Sequence, residues 1–110
     1  MPLEETDRID ISTTTEDGKV QLVITDAGIT TDPVKRLNLL IEKLKTYVSY
    51  VISEEFKIDH PGRIVKDVTI LVMCRIPPTE QMEKITQVQP SGKPENAIPI
   101  VFQIFKGASV

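Results

Sequence analysis

The stretch Val65-Lys66-Asp67-Val68-Thr69-Ile70-Leu71-Val72-Met73-Cys74-Arg75-Ile76 decides the fold. In strand alternation, Val68, Ile70, Val72, Cys74 and Ile76 fall on one side, and Thr69, Leu71, Met73 and Arg75 on the other. A strand with apolar residues on both sides belongs in the interior of a sheet. Pro77-Pro78 ends it, because neither residue has an N–H to continue a ladder.

The segment before this strand predicts a long helix. Asp32 can cap the exposed amides of a helix whose first position is Pro33, where a missing N–H costs nothing. Leu37, Leu40, Ile41, Leu44, Tyr47, Val48 and Val51 then recur at intervals of three and four, one stripe of a helix running to about Glu54. Lys35, Arg36, Lys43 and Lys45 are expected on its solvated back. Residues 57–63, with His60-Pro61-Gly62, read as a loop.

Further upstream lies a hairpin. Ile9, Ile11 and Thr13 alternate with Asp10, Ser12 and Thr14. Glu16-Asp17-Gly18-Lys19 makes the turn, its Asp-Gly pair suited to positive φ. Val20, Leu22 and Ile24 then alternate with Gln21, Val23 and Thr25.

Downstream, Thr79 to about Gln87 has room for a short helix burying Met82 and Ile85, and residues 88–96 are turn formers. A last strand, 97–106, sets Ile98, Ile100, Phe102 and Ile104 against Val101, Gln103 and Phe105. Pro99 suits an edge position there.

The resulting order, β-β-α-β-α-β, predicts an α+β fold: a two-layer α/β sandwich with a four-stranded mixed sheet in the order 1-2-3-4. Right-handed crossovers place one long and one short helix on one face. A rearranged order, 1-2-4-3, would put the helices on opposite faces. Residues 8–106 are expected to form a single domain, with 1–7 and 107–110 as flexible termini.

The 110 residues, 40% hydrophobic and 26% charged, match a globular chain and exclude collagen-like, disulfide-scaffold or wholly disordered classes. No uncharged run exceeds ten residues (96–105), well short of the ~18–20 a spanning helix needs, so no membrane role is expected. Glu4, Glu5 and Asp7 are the opposite of the basic start of a secretory signal. The single cysteine fits a reducing, cytoplasmic setting. Net charge is −3, with −6 in residues 1–32, +3 in 33–66 and zero thereafter. With a pI near 5.1, nucleic acid is not an expected partner.

Motifs for chemistry are sparse. His60 beside Asp59 lacks the further ligands a zinc site needs and reads as a solvated loop histidine. Cys74, flanked by Val72 and Ile76 on one strand face, reads as a buried structural thiol. The five glycines are too dispersed for a phosphate-cradling loop. No catalytic residue, metal or cofactor is expected. The loop 26–32 joins a strand end to a helix start, where open α/β sheets tend to bind ligands. Asp26, Asp32 and Arg75 are therefore the candidates for a small-molecule binder or enzyme, the alternative reading.

The leading reading is a surface argument. Helices on one side leave the other side of the sheet bare, and there Val23, Leu71, Met73, Val101 and Phe105 form an apolar patch, with the first strand polar (Asp10, Ser12, Thr14). The expectation is a non-enzymatic interaction module, homodimeric through this face or binding one protein partner. The alternative is that residues 88–96 or the termini fold back over it.

Asp7-Arg8-Ile9-Asp10-Ile11, the strand 20–26, the helix core 39–47 and the strand ending in Pro77-Pro78 resemble a family of small uncharacterised bacterial domains, over roughly residues 7–106. The family's loop after its second strand carries a tryptophan and its helix begins with histidine-leucine. This chain has no tryptophan and reads Arg36-Leu37. The resemblance implies a bacterial cytosolic protein and supplies no activity.

Overall fold

The computed structural model describes residues 11–89 and 97–104. Strands β1 (Ile11–Thr14) and β2 (Val20–Asp26) form the expected antiparallel hairpin. Its turn is closed by the Gly18 N–H on the Thr15 carbonyl at 3.0 Å, and Gly18 then takes φ +82°. The Gly18 conformation reverses the chain in step with strand twist, and the Arg63 guanidinium would sit 3.0 Å from a Cβ placed there.

Helix α1 (Pro33–Val51) begins as its sequence predicts, with the Lys35 N–H donating to the Asp32 carboxylate at 2.9 Å. It stops three residues before the expected end, because Ser53 starts a second helix, α2 (Glu54–Asp59). The Ser53 hydroxyl donates to the Tyr50 carbonyl at 2.6 Å and accepts from the Phe56 N–H at 3.3 Å, closing one helix and capping the next. The expected loop at 57–63 is thus helical in its first half.

A 3-10 turn (Val65–Asp67) leads into β3 (Val68–Cys74), which therefore starts later than its apolar run suggests. Asp67 holds that turn by accepting the Ile64 N–H at 3.0 Å. Helix α3 (Glu80–Glu83) is one turn long, capped by Thr79 on the Met82 N–H at 3.2 Å. Two residues of strand follow, β4 (Gln87–Val88), and then β5 (Ile98–Ile104).

Among the described residues the sheet is mixed, with five strands in the order β1-β2-β3-β5-β4, where four were expected. The long strands keep the expected sequence, with β2, β3 and β5 parallel. The extra strand displaces β5 from the edge: β4 pairs outside it, and Ile100 N–H donates to the Thr86 carbonyl at 2.9 Å. Pro99 is still accommodated, because the ladder with β3 begins one residue later, at Ile100.

Burial alternates strictly along β2 and β3. Leu22, Ile70 and Ile100 share one register row, and with Leu40, Leu44, Tyr47 and Met82 from the helices they belong to one buried cluster. Fully burying side chains of this size contributes roughly 1.5–3 kcal/mol each. The shortest dimension, 21 Å, fits one sheet and one helical layer at the ~10 Å spacing of packed layers.

The buried stripe of α1 is rotated from the one its apolar residues trace. Arg36 and Lys43, expected on the solvated back, lie inside with exposures of 3% and 0%, whereas Ile41 is 37% exposed. The Lys43 ammonium stands 5.9 Å from the centre of the Tyr47 ring, and its alkyl stem is packed like any apolar chain. Tyr47 in turn donates to the Val23 carbonyl at 2.6 Å, fixing the helix to the second strand.

Candidate functional site

Two regions carry the expected site residues: the C-terminal ends of the strands, and the sheet face turned away from α1. At the strand ends, Asp26 is fully buried and already engaged. Arg36 Nη2 and Nε donate to its Oδ2 at 2.7 and 3.1 Å, and the Gly28 N–H donates to its Oδ1 at 3.1 Å. Arg36 also donates to the carbonyls of Pro77 (2.9 Å) and Ile76 (3.4 Å), where the chain leaves β3. The guanidinium ties together β2, the first turn of α1 and the start of the second crossover. A buried charge pair requires this level of satisfaction, since each ion costs several kcal/mol to dehydrate.

Asp32 is exposed and acts as the cap of α1, and the Arg75 side chain is exposed. Both carboxylate oxygens of Asp26 are thus engaged within the chain, and its charge faces Arg36. Cys74, opposite Asp26 in register, is buried as expected. Burial pushes its thiol up to about 11; the Asp26 carboxylate adds to the rise and Arg36 opposes it.

At the other end of the sheet, His60 is not the solvated loop residue its sequence setting suggests. It is 7% exposed, with Nδ1 3.0 Å from the Thr14 hydroxyl and its ring 5.3 Å from that of Phe56. Phe56 packs edge-on against Tyr50, and the Tyr50 hydroxyl donates to Asp59 at 2.7 Å. Among the described residues, no three His, Cys, Asp or Glu side chains are grouped to hold a metal ion. None of the described helices is long and apolar enough to cross a membrane.

The face away from α1 is built row by row from the register. Val23, Leu71 and Val101 are aligned across β2, β3 and β5, and Thr25, Met73 and Gln103 form the next row. All six are at least partly exposed, Val101 by 44%, and none belongs to the buried cluster. Phe105 and Asp10, also assigned to this face from the sequence, lie outside the described residues. The hairpin register corrects the first strand's parity. Thr14 pairs with Val20 and shares its helix-side face, and Ile11 rather than Ser12 stands across from Val23. The polar flank expected at β1 is therefore replaced by a position in line with the apolar row.

An apolar trough of about 260 Å³ that sequence reading missed lies beside α1, lined by Ile41, Leu44, Lys45, Val48, Ile85 and Val88. It exists because α3 is a single turn, too short to fill the space next to a helix of 19 residues. The only usable signal was the brevity of the apolar pattern between Thr79 and Gln87.

Among known proteins, the model of a family of unknown function (DUF6572) matches residues 1–105, and the chain belongs to that family. No curated protein and no solved structure matches it.

Proposed function

From membership of a family without an assigned activity, we propose that the chain is a protein-interaction module whose working surface is the uncovered sheet face and whose partner is a second copy of itself. The observation that carries this reading is the row Val23–Leu71–Val101, apolar across three adjacent strands and at least partly exposed throughout. Rows of this kind, at spacings of about 4.8 Å, are what two stacked sheets interdigitate.

Charge favours self-association over a charged partner. On this face of β2, β3 and β5 no residue is ionised: Gln21, Val23, Thr25, Thr69, Leu71, Met73, Pro99, Val101 and Gln103 are all neutral. Ordinary surfaces are about 25–35% charged, so a neutral patch of this extent is unusual. Two copies, each of net charge −3, approach with least repulsion through such a patch. Three strands of seven residues and one of four, at about 3.3 Å per residue and about 4.8 Å between strands, give a face near 400 Å² in projection. That is about half of the ~800 Å² per partner of stable complexes, so the pairing proposed is weak and reversible.

Equilibrium sedimentation from low to high micromolar concentration tests this directly. The expected result is a monomer–dimer equilibrium that Leu71→Asp abolishes while leaving the far-UV spectrum unchanged. A strict monomer over that range, or a dimer indifferent to Leu71→Asp, overturns the proposal.

A further inference from the structure

The chain places two sulfur atoms side by side on β3 with opposite surroundings. Cys74 is fully buried against α1, and Met73 points to the uncovered face, partly exposed, between Thr25 and Gln103. The other described methionine, Met82, has no exposed surface. Thiols react with peroxides as thiolates, and a thiol held near 11 is almost wholly protonated at neutral pH. A thioether needs no ionisation to react, only access. Among the described residues, access and sulfur chemistry coincide only at Met73.

Resting on the self-association reading above, we propose that Met73 is an oxidative modification site that controls pairing of the two copies. Hydrogen peroxide, or an organic hydroperoxide of the same class, transfers one oxygen to the Met73 sulfur. The O–O bond breaks, an S–O bond forms, the sulfur is oxidised and the peroxide is reduced to water or the alcohol.

The product exchanges a flexible apolar side chain for a polar one, next to the Val23–Leu71–Val101 row. Burying that sulfoxide between two sheets strips it of water, and among the described residues the flanking Thr25 and Gln103 are the only polar side chains of its own row. A two-fold interface counts the change twice, once from each copy. In the pair, Met73 is covered, so oxygen transfer proceeds through the dissociated copy and then holds it apart. Pairing and oxidation therefore compete, and the rate of oxidation falls as protein concentration rises.

The test treats the full chain with hydrogen peroxide, locates the added oxygen by peptide mass spectrometry and measures association by sedimentation, with Met73→Leu in parallel. The expected result is oxygen at Met73 before Met82, a dissociation constant raised roughly tenfold or more, and a Met73→Leu dimer that peroxide does not affect. A wild-type dimer that persists with Met73 oxidised overturns this inference and leaves self-association standing, as does oxidation of Met82 before Met73. An untreated chain that never pairs overturns the self-association reading, and this one with it.

Discussion

Ile70 and Leu71 are consecutive residues of β3, and their side chains meet different surroundings. Ile70 is fully buried in the cluster under α1, and Leu71 is partly exposed on the opposite side of the same backbone. The contrast extends to polar groups. The covered side encloses an aspartate, an arginine, a lysine and a histidine, whereas the uncovered side of the three long strands bears no charge at all. Burial on the first side depends on satisfied pairs such as Asp26 with Arg36. The neutrality of the second means that the pairing proposed above would dehydrate no charge on these strands. One face is chemically committed within the chain, and the other holds its apolar row at least partly exposed.

The largest effect comes from breaking a pair on the covered side. Arg36→Met leaves the Asp26 carboxylate buried without its counter-charge and is expected to lower the unfolding free energy by about 3–5 kcal/mol. Adding Asp26→Leu is expected to recover much of that loss. Urea titrations of the single and double variants measure both; a single variant costing under about 1 kcal/mol would mean that water reaches Asp26 and the side is not sealed.

A second experiment sharpens the contrast at one backbone position. Ile70→Ala is expected to cost about 2–5 kcal/mol, as a large-to-small change in a packed core. Leu71→Ala is expected to cost the monomer under about 1 kcal/mol while weakening pairing. Equal losses in dilute solution, where only monomer is present, would show the two faces to be equally buried.

The smallest effect lies at the hairpin, outside both faces. The Thr15 hydroxyl donates to Asp17 and, with help from the Lys19 backbone, holds that carboxyl below its ordinary 3.8. A carboxyl whose folded value is depressed contributes stability above 3.8 that is lost as pH falls through the lower folded value. Asp17→Asn should therefore lower stability slightly at neutral pH, and its curve should meet the wild-type curve in acid. The group is exposed, so the difference is small and shrinks with added salt.

Elements with strong local signals were legible in the sequence: the Asp-Gly hairpin and the Asp32-Pro33 helix start stand where their residues put them, and the doubly apolar β3 is central as expected though shorter, Val68–Cys74. What escaped was set by partners distant in sequence. Arg36 and Lys43 read as surface residues because charge is normally solvated, and only the fold brings Asp26 to Arg36. His60 read as a loop residue because Pro61 and Gly62 follow it, yet Thr14, 46 residues away, receives it. The hairpin parity turned on the register of β1 against β2, which alternation alone does not specify. That Val23, Leu71, Met73 and Val101 share one face was legible, because period-two alternation on central strands needs no distant information. The trough beside α1 was not, since it is defined by what a one-turn helix fails to fill.

The bond from Arg36 to the Pro77 carbonyl spans 41 residues, and this orders events for a chain made from its N-terminus. Asp26 and Arg36 can meet as soon as α1 forms, but at that stage the guanidinium remains open to water on the side where Pro77 will arrive. Emergence of β3 and its exit removes that last hydration. The pair therefore reaches its fully dehydrated state only once the second crossover is in place.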